Sequence, residues 1–78
     1  MENTAREMTY GEKAVGLTFN PSNDPKVQKV KELYAEIIDI VNNCYDANPS
    51  EKARLAKVAI TEAQTAQMWA VKAITYQF

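Results

Sequence analysis

Seventy-eight residues allow one domain at most, and a chain this short hides only roughly 60% of its unfolded surface. Nine basic and ten acidic side chains leave a net charge of −1, which excludes the phosphate-neutralising excess that DNA wrapping needs. One cysteine and no histidine exclude an intrachain disulfide and a zinc centre. The core is therefore thin, and partner subunits or very good helix packing are the remaining ways to support it.

Residues 1–24 read as an N-terminal arm. Thr4 and Glu7 are spaced to cap a short helical turn. Gly11, Gly16, Pro21 and the Asn20–Asp24 stretch punctuate the rest as loop. Val15, Leu17 and Phe19 alternate, a pattern that suits a short extended piece or an arm laid on the helices through these three side chains.

A helical hairpin is predicted over 25–78. Asp24 suits the N-cap and Pro25 the first helical position. Val27, Val30, Tyr34, Ile37, Val41 and Cys44 then follow at alternating spacings of three and four, a heptad-type seam. Leu33, Ile38, Ile40 and Tyr45 widen it. The helix should stop near Asn42–Asp46. Asn48, Pro49 and Glu51 announce a second helix, with Asn48 as cap, that runs to about Thr75. The short break makes the pair antiparallel. Alanines at 56, 59, 63, 66, 70 and 73 mark one face for close approach, while Leu55, Val58, Trp69 and Tyr76 point elsewhere. Two helices cannot cover all of this apolar surface, so the expected architecture is an all-α antiparallel hairpin with a short N-terminal arm or helix, assembled as a homo-oligomer.

Catalytic motifs are missing. There is no Ser-His-Asp set and no P-loop, and Glu36, Asp39 and Glu62 have no recognisable pocket partner. The reading is a non-enzyme with no cofactor and no catalytic or metal-binding residue. No apolar run reaches the roughly 18 residues of a membrane span, and the N-terminus lacks a signal-type stretch. With its lone thiol, the chain fits a reducing cytoplasm. Lys13, Lys26, Lys29 and Lys31 cluster near the arm, either as ordinary surface or as an anion site. Tyr10, Phe19 and Trp69 are candidate stacking rings. Thr61, Gln64 and Thr65 interrupt an apolar helix, and composition leaves an interhelical hydrogen-bond network and a ligand's polar edge equally open.

Several segments resemble a known family. Gly11-Glu12-Lys13-Ala14-Val15-Gly16, Phe19-Asn20-Pro21-Ser22, Val30-Lys31-Glu32-Leu33 and Ala59-Ile60-Thr61-Glu62-Ala63-Gln64-Thr65-Ala66 are similar, in order and spacing, to the hairpin domain of phage anti-CBASS and anti-Thoeris sponge proteins. Gln67-Met68-Trp69-Ala70-Val71-Lys72-Ala73-Ile74 fits as well. The resemblance runs from about residue 11 to 76. It implies compact homo-oligomers, often hexamers, in the host bacterial cytoplasm. These would sequester cyclic dinucleotides, cyclic trinucleotides or cyclic ADP-ribose isomers without degrading them. It places a ligand-contacting lysine at Lys31, a basic arm position at Lys13 and a second ligand site at Thr61, Gln64 and Thr65. Leu17 stands where the family has a stacking aromatic, and Phe19, beside Asn20, or else Tyr10 is the ring available instead. The rival readings are a structural or adaptor oligomer that binds a protein partner and a small nucleic-acid-binding regulator.

Overall fold

A computed structural model describes residues 7–44 and 50–77. These residues form three helices and no strand: α1 Tyr10–Val15, α2 Pro25–Asn43 and α3 Glu51–Thr75. The expected all-α class holds, and the arm contributes a helix of its own. The turn expected from Thr4 lies outside the described residues.

The arm helix begins one motif later than expected. Thr9 Oγ1 accepts from the Glu12 N–H at 3.1 Å, and Glu12 Oε1 accepts from the Thr9 N–H at 2.9 Å, a complete capping box. Gly16 ends α1 in the left-handed region at φ 63°. There the Leu17 N–H donates to the Glu12 carbonyl and the Gly16 N–H to the Lys13 carbonyl, the paired bonds of a Schellman ending. The alternation of Val15, Leu17 and Phe19 thus does not mark an extended piece. Val15 closes a helix, and Phe19 lies past a turn whose Phe19 N–H donates to the Gly16 carbonyl.

Gly11 also is not loop. Its N–H donates to Asp39 Oδ1 at 2.7 Å, and a Cβ placed on it would stand 2.1 Å from the Ala35 carbonyl oxygen. Only glycine lets α1 cross α2 this closely.

The second helix starts as expected, with Asp24 accepting from the Lys26 N–H at 2.8 Å and Pro25 at the first position. The third does not. Ser50 is its cap, accepting from the Ala53 N–H at 3.1 Å, and Glu51 pairs with Arg54 at 2.6 Å instead of closing a capping box. Asn48 and Pro49 lie outside the described residues.

Helices α2 and α3 run antiparallel. Asn42 adjoins Ala56, Ile38 packs with Ile60, and Val27 shares a cleft with Val71, so positions descend on one helix as they rise on the other. The core is small: Val15, Ala35, Ile38 and Ile60 form its centre, flanked by half-buried Ala14, Leu17, Tyr34, Val41 and Ala63. The buried side of α2 is Val27, Lys31, Ala35 and Ile38, whereas Ile37 and Cys44 of the expected seam are exposed. The rotation follows from α1, which occupies the Ala35 side and draws the buried stripe towards itself. On α3 the buried stripe is Ala53, Ala56, Ile60 and Gln67, and the outer alanines 59 and 73 are exposed.

Replacing Gly11 with alanine inside a helix ordinarily gains about 1 kcal/mol. Here the Cβ meets backbone, so the Gly11→Ala protein should lose at least about 1 kcal/mol in urea denaturation. A gain in stability would show that α1 does not cross α2 at this point.

Candidate functional site

A concavity of ≈ 650 Å³ lies between the α1–α2 loop and the C-terminal half of α3. This is within the ordinary size range of small-molecule sites. Its floor is apolar, with Val15, Val27 and Val71, exposed Met68 adds an apolar rim, and Lys13, Asn20, Lys31 and Gln67 supply polar groups. Phe19 stands at its edge with 70% of its surface exposed. A large apolar ring this open, next to ammonium groups, is suited to stack on a planar ligand.

The loop that carries Phe19 is held from below by a buried lysine. Lys31 is 5% exposed. Its Nζ donates to the Gly16 carbonyl at 3.0 Å and makes a short bond to the Phe19 carbonyl. The same Nζ lies 5.5 Å from the Phe19 ring centroid, within cation–π range. Burial pushes the Lys31 pKa below the ordinary lysine value, because the charged form loses its hydration.

The rest of the loop is tied to itself. Asn20 Nδ2 donates to the Asp24 carbonyl at 3.2 Å, Ser22 Oγ donates to Asn20 Oδ1 at 2.7 Å, and the Asp24 N–H donates to Ser22 Oγ at 3.1 Å. Asn23 takes the left-handed region at φ 55°, which asparagine tolerates.

Four of the eight residues singled out from the sequence therefore meet in one cleft: Lys13, Phe19, Asn20 and Lys31. The other four lie elsewhere. Leu17 packs against the core and lines a notch of ≈ 290 Å³ with Glu12, Glu32, Glu36 and Asp39. Thr61 and Gln64 line a third hollow of ≈ 360 Å³ with Tyr10, Asn42 and Lys57. Gln64 Nε2 donates to the Ala14 carbonyl at 3.2 Å and so binds α3 to α1. Thr65 Oγ1 donates to the Thr61 carbonyl of its own helix at 3.1 Å. For Gln64 the interhelical hydrogen bond is thus realised. Trp69 is exposed, with the Lys72 ammonium 5.8 Å from its ring.

Sequence reading passed over Gln67, Met68 and Val71 as cleft residues. The signal for Gln67 was present: it lies seven residues after Ile60 on the buried stripe, where the helical period calls for an apolar side chain. No group of acidic, cysteine or histidine side chains able to hold a metal occurs among the described residues. No helix among them is long and apolar enough to cross a membrane.

A family model described as Acb2/Tad1, hairpin domain, matches residues 12–75. The matched span takes in most of α1, all of α2 and all of α3. No curated protein and no solved structure shows significant similarity to the chain.

The depressed Lys31 pKa has a measurable consequence. Between that native value and the ordinary 10.5, the unfolded chain holds the proton more tightly than the folded one. Stability contributed by this group therefore rises with pH across that window. The difference in unfolding free energy between wild type and Lys31→Met should grow as pH is raised towards 10.5. A difference that shrinks would mean that the folded state favours the charged form.

Proposed function

Because the chain belongs to the Acb2/Tad1 hairpin-domain family, we propose that it is a phage-type anti-defence protein that sequesters cyclic oligonucleotide immune signals. The ligands in view are cyclic dinucleotides and trinucleotides, with cyclic ADP-ribose isomers of the same chemical kind. The observation that carries this reading is the cleft in which Lys13, Phe19, Asn20 and Lys31 converge on one apolar floor.

Each part of such a ligand has a counterpart there. A base needs a flat apolar surface, and Phe19 offers an exposed ring. A phosphodiester needs a cation, and exposed Lys13 lies at the rim. Lys31 already gives two of its three donors to loop carbonyls, leaving one N–H for the cleft. Its first task is to hold the loop in the shape that a ligand meets, which lowers the ordering cost of binding.

Binding is enough for the biological effect. A signal at equilibrium with sites present at a hundredfold excess over Kd is left only about 1% free. The cleft's described lining holds no carboxylate and no histidine to serve as a general base, which supports binding without cleavage.

Self-association belongs to the same proposal. Ten large hydrophobic side chains among the described residues are exposed, among them Leu33, Ile37 and Ile40 on the outer side of α2 and Leu55 and Val58 on α3. The chain is 12 Å deep along its shortest axis, a single layer of helices with no second layer to cover these residues. A homo-oligomer, hexameric as the family resemblance implies, would cover them and deepen the open side of the cleft.

Calorimetry with a panel of cyclic di- and trinucleotides and cyclic ADP-ribose isomers tests the reading. Binding is expected for at least one member. Phe19→Ala should weaken it by about tenfold or more, since a stacking contact contributes about 1–3 kcal/mol. Lys13→Ala should weaken it most at low salt. Ligand recovered after denaturation should be intact. Silence across the panel would overturn the proposal and favour an adaptor oligomer, and cleaved ligand would make the protein an enzyme.

A further inference from the structure

We infer that Gln67 is the residue that reads the ligand's base, and that its carboxamide selects adenine. This rests on the sequestration reading of the same cleft and adds which side chain discriminates there, and for what.

Three observations converge on Gln67. It is 6% exposed, so its polar head is removed from bulk water. It lines the cleft together with Phe19, Lys13 and Lys31. Its side chain makes no hydrogen bond with any described residue, whereas nearby Gln64 spends its amide on the Ala14 carbonyl. A buried carboxamide without a partner costs about 1–3 kcal/mol. Along the same stripe Ala53, Ala56 and Ile60 are apolar, and an apolar residue at 67 would remove that cost. A polar group retained against stability at the edge of an open cleft is a group awaiting a ligand atom.

The chemistry of the carboxamide names the partner. It presents one acceptor oxygen and one NH2 donor side by side. Adenine presents the complement, the N6 amino donor beside the N7 acceptor, and a glutamine can bond both at once. The N7 and O6 edge of guanine offers two acceptors and would set one against the glutamine oxygen, so the discrimination belongs to a base that turns its N7 edge towards Gln67 and not its N1 edge. A phosphate would use only the NH2 of the carboxamide and leave its oxygen unpaired, whereas the edge of a base satisfies both. The apolar floor from Val27 and Val71 suits the body of a base, and Phe19 gives it a face to stack on.

The test compares wild type with Gln67→Met, a near-isosteric apolar change. Two readouts are taken on the intact protein: thermal stability without ligand, and calorimetric affinity for cyclic di-AMP and cyclic di-GMP. Wild type should prefer cyclic di-AMP by about tenfold or more, the usual discrimination of a bidentate glutamine–adenine pair. Gln67→Met should melt at the same temperature or higher, should lose about tenfold or more in affinity for cyclic di-AMP, and should no longer distinguish the two ligands. A lower melting temperature would mean that the carboxamide is structurally satisfied, and would overturn the inference with or without ligand. Unchanged cyclic di-AMP affinity, equal losses for both ligands, or a wild-type preference for cyclic di-GMP would overturn it while leaving sequestration standing. Wild type that binds no cyclic nucleotide would remove the sequestration reading, and this inference with it.

Discussion

A lysine ammonium with almost no access to water governs the shape of this protein's most distinctive surface. Lys31 lies on the buried stripe of α2, where its neighbours on the same side are Val27, Ala35 and Ile38. Charge in such a place must be met by hydrogen bonds, or it is expelled. The available acceptors are the carbonyls of Gly16 and Phe19, and both turn towards it. For Gly16 to do so the chain must leave α1 through a left-handed residue, and for Phe19 to do so the loop must fold back over α2. The exposed ring, the loop wall and the cleft are consequences of satisfying that one cation.

The second constraint is the shallowness of the molecule. Fully burying a large aliphatic side chain contributes about 1.5–3 kcal/mol, and among the described residues only Val15, Val27, Ile38 and Ile60 are both larger than alanine and buried apolar residues. Close backbone approach compensates in part. Gly11 lets α1 settle on the Ala35 carbonyl, and Asp39 accepts the Gly11 N–H on the way. On α3 the buried stripe likewise includes small side chains, Ala53 and Ala56. A chain built this way has few large side chains in its core and many left outside it, so association of copies and formation of a ligand site draw on the same exposed surface.

Much of the fold was legible in the sequence, and the parts that were not share a cause. Helix α2 was marked by Asp24 and Pro25, and α3 ends at Thr75 as expected. These are local signals. The position of the arm helix was not legible because Gly11 looks like punctuation, whereas its value lies in a contact with Ala35 that is 24 positions away. The seam on α2 was placed one step off because periodicity sees only one partner, and this helix serves two. Lys13, Phe19, Asn20 and Lys31 were picked out as residues, but nothing local shows that Lys31 faces inward and grips the loop, or that Leu17 turns away into the core. Gln67 was overlooked because a glutamine among alanines reads as solvated surface until the burial of its stripe is known.

The central claim is that the cleft above Lys31 is where a cyclic nucleotide binds. Methyl-detected NMR during titration with cyclic di-AMP addresses it directly, because Val15, Val27, Met68 and Val71 all line that cleft. The largest shifts should fall on these four, with Val58 on α3 and the Ile60 side of the molecule little changed. Saturable shifts centred on Ile60 and Ala56, beside the Thr61 and Gln64 hollow, would place the ligand elsewhere and contradict the account.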